Sequence, residues 1–410
     1  MSTTTEPTVV IVGAGQAGAE CAIALRQQGF DGRIVLLGDE GHLPYRRPPL
    51  SKAFLSGKSS QDALYIKSES AWDDLAIDCR PDIGVEAIDR GSRTLHLFDG
   101  TRIAYDKLVL ATGGRTRTLS VPGAEHPNVF CIRTIDDVLA LQEEFVPGRR
   151  LVIVGGGYIG LEVAAVAVEK GLATTVVEAE ARVLPRVGCD LLCDFFAEAH
   201  RRRGVELRLG TGVHAFEGEE RAEAVVLADG TRLPADLVVV GIGIVPNTEL
   251  AAAAGLDVSD GIVVDAQTRT SDPDIHAIGD CSYHANAFYG RSMRLESVPN
   301  AMEQGRVAAA VLAGKPAEHR AVPWFWSDQY DLKLQMVGLA RDAERQVLRG
   351  SPEDGAFMVF HMAGDRAIAA DAVNRPQEFA LARRLVGERI PVQDAQLADT
   401  AVALKDLLAR

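Results

Sequence analysis

The sequence predicts an α/β protein: two similar halves built on strand–turn–helix units, followed by a smaller α+β domain near the C-terminus. Three observations predict it. Val9 to Gly29 reads VVIVGAGQAGAECAIALRQQG and Leu151 to Gly171 reads LVIVGGGYIGLEVAAVAVEKG, so one pattern occurs twice. In each copy a β-branched run meets G-x-G-x-x-G, then an apolar helical pattern that stops at glycine. After about residue 320 the pattern changes to PWFWSDQY, alternating segments such as Ala356 to His361, and a helical stretch from Pro376 to Leu385.

The spacing of the glycines has a chemical meaning. The first makes the tight turn, the second lets backbone approach a pyrophosphate, and the third lets the helix pack on the strand. The unpaired N–H groups and positive dipole of the helix N-terminus then suit phosphates. Each copy therefore predicts a Rossmann-like dinucleotide site. Each also feeds a second strand ending in an acid: Arg33 to Gly38 leads to Asp39, and Thr174 to Val177 leads to Glu178. A carboxylate there accepts hydrogen bonds from a ribose hydroxyl. Glu178 would repel a 2′-phosphate, and no arginine takes its place, although Arg182 lies four residues on. The second site is thus expected to take NADH rather than NADPH. Further buried strands are expected in Leu108 to Gly114 and Val238 to Asn247. Thr270 to Asp280 reads as a polar lead, a short strand and Gly-Asp.

Composition narrows the function classes. The 410 residues allow two or three domains, and 47% apolar with 24% charged residues is an ordinary globular balance. No apolar run approaches the ~18 residues of a membrane span, and Met1 to Thr8 lacks the features of a signal peptide. Six cysteines without close even spacing argue against a secreted disulfide scaffold. The expectation is a soluble cytoplasmic protein that does not engage a membrane. Fifty-seven acids against 43 bases give a net charge of −14, which speaks against a nucleic-acid partner but leaves room for a local basic patch.

The runs GAGQAGAE, YRRPPLSK, LVLATGGR, GGGYIGLE, GIGIVPN, TSDPDIHAIGDC, ESVPNAMEQGR, PWFWSDQY and DAVNRP together resemble the FAD-dependent, NADH-linked ferredoxin reductases of oxygenase systems. The resemblance covers nearly the whole chain. It implies a glutathione-reductase-like fold with FAD and NADH as cofactors and four segments. These are an FAD-binding domain over 1–117 and 247–322, an NAD-binding domain over 118–246, and the C-terminal domain over 323–410. It implies that Gly13, Gly15 and Ala17 cradle the FAD pyrophosphate, Asp39 holds the adenosine ribose, and Arg46 lies near the phosphates. Val85, Ala111 and Arg133 contact the cofactor, Asp280 binds the ribityl chain, and Val298 meets the pyrimidine edge of the flavin. At the second site Gly155, Gly157, Tyr158, Ile159 and Gly160 meet NADH with Glu178 on its ribose, and Glu296 and Trp326 frame the nicotinamide. Lys52 sits beside the flavin ring, with Glu162 as its expected partner across the domain boundary. Glu20 holds the equivalent place in the first repeat, so Glu162 could instead serve helix geometry alone.

The same resemblance implies the reaction and partner. A hydride carries two electrons, whereas a 2Fe–2S ferredoxin accepts one at a time, and flavin converts between them. The ferredoxin would feed a cytochrome-type monooxygenase or a dioxygenase. Family ferredoxins are typically acidic, so docking on a −14 protein needs local cations. Arg306 and Lys405 match family docking positions, and Lys333 is a third candidate. A monomer or weak homodimer is expected. Rubredoxin reductases, NADH oxidases and apoptosis-inducing-factor-like signalling flavoproteins share the architecture and are the rival readings.

Other residues are weighed and set aside. A disulfide reductase would carry C-x4-C after the first glycine motif, where PYRRPPLSKAFL has no cysteine. Cys189 and Cys193 stand four apart in a predicted helix and read as buried structural thiols, as does Cys281. The nine histidines are scattered without ligand spacing, so no metal site is expected, and His42 and His284 read as surface or loop residues. Trp324 and Trp326 alternate on a strand and so share a face.

Overall fold

The computed structural model describes residues 6–185 and 189–408. The chain divides into two units. The first comprises Met1–Arg47, Ser60–Arg115 and Ile244–Ala321; the second comprises Pro48–Ser59, Thr116–Gly243 and Val322–Arg410.

The first unit is organised by a five-stranded parallel sheet in the order Ile275–Ala277, Lys107–Leu110, Thr8–Val12, Arg33–Leu37, Ile77–Arg80. Successive side chains on a strand point to opposite faces, and here both faces are covered. Val9, Ile11 and Val109 join one core with the helices Gln16–Gln27 and Val298–Leu312. Val10, Val12, Leu108 and Leu110 join another with Leu95, Leu97 and Ile103 of a three-stranded sheet. That double burial explains why these strands read as continuous apolar runs. A four-stranded sheet, Val258–Ser259, Gly261–Val264, Ser282–Asn286 and Arg291–Met293, completes the unit.

The second unit repeats the plan. Its parallel sheet runs Glu206–Leu209, Ala173–Glu178, Arg150–Val154, Leu237–Val240, Val129–Phe130. The helices Tyr158–Glu169 and Asp190–Arg202 follow its strands, and a three-stranded sheet shares a core with Val152, Val154 and Val177. The C-terminal part is a five-stranded antiparallel sheet in the order Trp324–Gln329, Leu332–Gly338, Arg366–Val373, Ala356–Ala363, Arg345–Ser351, flanked by the helix Pro376–Gly387. Phe357 to Met362 are buried on both faces, so the alternation read over Ala356 to His361 does not mark a solvated side.

One expectation needs correction. His284 is not a surface or loop residue: it lies on the strand Ser282–Asn286, 1% exposed, its ring against that of buried His319. Burial lowers both imidazole pKa values to about 4, so each stays neutral because no acid compensates. Lys52 lies on Pro48–Ser59, which falls in the same compact unit as Glu162. Among the described residues no helix is long and apolar enough to cross a membrane, and no three His, Cys, Asp or Glu side chains cluster for a metal.

Candidate functional site

The two glycine loops have matching geometry, and it fits a dinucleotide. Gly13 and Gly155 adopt φ +109° and +110°, a region L side chains rarely enter, and a Cβ there would strike Ala111 O or Gly241 O. The third glycines, Gly18 and Gly160, are closed as well, each with a carbonyl 2.0 Å from the place of a Cβ. The middle glycines differ: around Gly15 and Gly157 nothing stands within 4 Å. They are the N-caps of the helices Gln16–Gln27 and Tyr158–Glu169, and as glycines they offer no side chain to the first turn. Each loop is thus an open concavity of backbone donors at a helix N-terminus, as a pyrophosphate requires.

One substitution therefore has two outcomes. Gly160→Ala must displace backbone, with a cost of about 3 kcal/mol or more, and should lower Tm or leave the protein insoluble. Gly157→Ala should keep the wild-type Tm and raise KM for NADH about tenfold, because its methyl enters the open side. Thermal unfolding and NADH–ferricyanide kinetics on both variants check the contrast.

The strand-end acids diverge. Asp39 is exposed. Glu178 is 9% exposed and turns back onto its loop, accepting from Gly156 N–H at 2.7 Å and Glu180 N–H at 2.9 Å. Its charge therefore sits against the glycine turn, with lone pairs left for a ribose hydroxyl. Tyr158 opens the following helix, its ring 4.7 Å from Phe325 and its hydroxyl 3.2 Å from Met336 Sδ, and Ile159 is exposed beside it. Half-buried Arg133 donates its N–H to Asp137 at the start of a capped helix.

In the first unit, Ala111 is buried at the end of its strand and Val85 is half-buried at the start of another. Ala17 is buried, its side chain close to Gly279. Asp280 follows Gly279, whose φ is +77°. Buried Gln304 fixes this turn by accepting from Gly279 N–H at 2.7 Å and Ser282 Oγ–H at 2.9 Å. Val298 begins the helix that carries Gln304, and Glu296, just before it, pairs with Arg294. Arg46 is exposed and donates to Tyr65 O. Its neighbour Arg47 is turned inward, 2.5 Å from Glu40 Oε1 and within the field of Asp280. Sequence reading passed over Arg47 and Gln304. A doubled arginine does not disclose which member turns inward, and a helical glutamine carries no motif.

In the second unit Lys52 Nζ lies 2.6 Å from Glu162 Oε2, with the Glu162 side chain only 1% exposed. Ser51 Oγ donates to the same oxygen at 2.5 Å and Ser327 Oγ to Oε1 at 2.6 Å. A buried carboxylate is tolerated when paired and fully hydrogen-bonded, and this one is. Trp324 and Trp326 share a strand face, ring centroids 5.6 Å apart, with Arg383 over Trp324. Ser51 and Ser327 were missed in sequence, although Ser327 stands inside PWFWSDQY on the strand face opposite the tryptophans. The cysteines are inert: burial pushes Cys21 up to about 12 and Cys193 to about 11, and raises Cys189 and Cys281.

Residues 7–305 match the family model described as pyridine nucleotide-disulphide oxidoreductase, and 324–408 match that of the reductase C-terminal domain. The chain belongs to the pyridine nucleotide-disulphide oxidoreductase family. Within this family it is 45% identical to putidaredoxin reductase of Pseudomonas putida, over 98% of this chain and 96% of that one. It is also 45% identical to rhodocoxin reductase of Rhodococcus erythropolis, over 98% and 94%. Among solved structures it is similar to the reductase in the covalent putidaredoxin reductase–putidaredoxin complex, with a TM-score of 0.96 and 98% of each chain covered. The family's cofactors are FAD and NAD(H), and the two open loops suit them.

Proposed function

We propose that this chain is an NADH-dependent, FAD-containing ferredoxin reductase that supplies electrons to an oxygenase, working in the cytoplasm. The carrying observation is the pair of open glycine loops, one in each unit. Relatives named for putidaredoxin and rhodocoxin support the ferredoxin as acceptor. Bound FAD supplies the exchange between a two-electron hydride and single electrons. The residues proposed to contact it are Gly13, Gly15, Ala17, Asp39, Arg46, Val85, Ala111, Arg133, Asp280 and Val298, with its domain over the segments 1–117 and 247–322 and the NAD-binding domain over 118–246. The second loop receives the NADH pyrophosphate and Glu178 its ribose, and Glu296 and Trp326 are each proposed as nicotinamide contacts. Lys52 supplies a fixed cation where negative charge develops, and Glu162 keeps that cation in place.

Purified protein is expected to be yellow and to release FAD on denaturation. NADH should drive cytochrome c reduction far faster with a 2Fe–2S ferredoxin, drawn from a panel, than without one. A colourless, folded preparation that cannot be reconstituted with FAD would sink the reading.

Arg306, Lys405 and Lys333 are the proposed docking cations, and all three are exposed. Arg306 is partly committed, 2.7 Å from Glu20 Oε1. Arg306→Glu should raise KM for ferredoxin severalfold and flatten its salt dependence, leaving NADH–ferricyanide turnover unchanged. Unaltered ferredoxin kinetics would move the docking face elsewhere.

A further inference from the structure

The Lys52–Glu162 pair is one end of a longer chain of side chains within the second unit. Ser327 Oγ donates to Glu162, and Gln329 Nε2 donates to Ser327 Oγ at 3.2 Å. His200 Nε2 lies 2.9 Å from Gln329 Oε1, and Tyr330 OH lies 3.0 Å from His200 Nδ1. Glu162 is 2% exposed, and Ser327, Gln329 and His200 are fully buried. Lys52 follows the 3-10 turn Pro48–Ser51, Glu162 and His200 lie on two helices, and Ser327 and Gln329 lie on the first strand of the C-terminal sheet, with Tyr330 just after it.

The direction of each bond follows from the glutamine. Its amide nitrogen is spent on Ser327, so its oxygen accepts from His200 Nε2–H, and Nδ1 accepts from the tyrosine hydroxyl. Burial lowers His200 to about 4, which keeps the ring neutral, and the Gln329 oxygen then places its proton on Nε2. Every donor therefore points along the chain toward Glu162. Such a chain does not pass protons readily, because an amide in the middle would have to become an imidic acid. What it transmits is orientation, since bonds in a buried line polarise one another.

We propose that Ser327, Gln329 and His200 are positioning residues. They form an oriented line of neutral donors that holds the Glu162 carboxylate in the arrangement from which it places Lys52. The inference rests on the role proposed for Lys52. It also gives PWFWSDQY a second purpose: the tryptophans occupy one strand face, while Ser327 and Gln329 use the other.

The test uses FAD-loaded enzyme and stopped-flow reduction by NADH. Gln329→Leu and His200→Phe should each slow flavin reduction about threefold to tenfold, as loss of one buried hydrogen bond implies. FAD content and KM for NADH should not change. His200→Gln, whose amide nitrogen can replace Nε2, should restore the rate. In a Lys52→Met background, Gln329→Leu should add no further slowing, because the line acts through Lys52. Ser327→Ala serves as a smaller perturbation if the larger variants fold poorly. Wild-type rates in Ser327→Ala and Gln329→Leu, beside a slow Lys52→Met, would overturn the positioning line alone. An additive loss in the double variant would overturn it too. A Lys52→Met enzyme as fast as wild type would remove the proposed role of Lys52, and the line with it.

Discussion

Lys52→Met is expected to slow reduction of the flavin by NADH about a hundredfold, with FAD content unchanged. A fixed cation aimed at developing negative charge in a dry site typically contributes on this scale. The variant has a second consequence, because among the described residues it leaves the buried Glu162 carboxylate with Ser51 and Ser327 as donors. Removing one partner of a buried ion pair costs about 3–5 kcal/mol. Lys52→Met should therefore also lower Tm, and the paired variant Lys52→Met with Glu162→Gln should recover much of the stability without recovering the rate. That separation distinguishes a role in hydride transfer from a role in packing. Stopped-flow traces matching wild type would leave Lys52 as a structural residue only.

Glu178→Gln is expected to shift the preference for NADH over NADPH by more than tenfold, mostly through improved kcat/KM for NADPH. The carboxylate lies against the glycine turn, so a 2′-phosphate arriving at the ribose would meet an anion that cannot move away. Tenfold selectivity needs only about 1.4 kcal/mol. Gln removes the charge and keeps an acceptor for one of the Gly156 and Glu180 N–H groups, with its NH2 group facing the other. Glu178→Ala also leaves those donors without their acceptor, so it should weaken NADH about tenfold in addition. Comparable kcat/KM for both coenzymes in wild type would refute the role assigned to Glu178.

Much of this protein is written locally. Strand, turn and helix in each repeat follow from β-branched runs, glycines where φ must be positive or a carbonyl approaches closely, and a helical apolar face. The two loops, their strand-end acids and the paired tryptophans were therefore legible from spacing alone. Other features were not. That Glu178 turns onto its own loop while Asp39 stays exposed depends on the side-chain environment around each acid. That Arg47 rather than Arg46 turns toward Glu40 and the Tyr45 hydroxyl depends on how the loop is folded, which a doubled arginine does not disclose. The burial of His284 is not legible in the sequence, because burying an imidazole leaves no periodic mark.

The Glu162 surroundings show the division most clearly. Sequence and family resemblance together offered Lys52 as a partner, but Ser51, Ser327, Gln329 and His200 come from segments more than a hundred residues apart in places. Spacing along a chain determines which side chains share a helix or strand face, because backbone geometry repeats at short range. Which faces then meet depends on how the apolar surfaces of distant elements are buried together. Only that packing decides which polar groups lose water and must find each other.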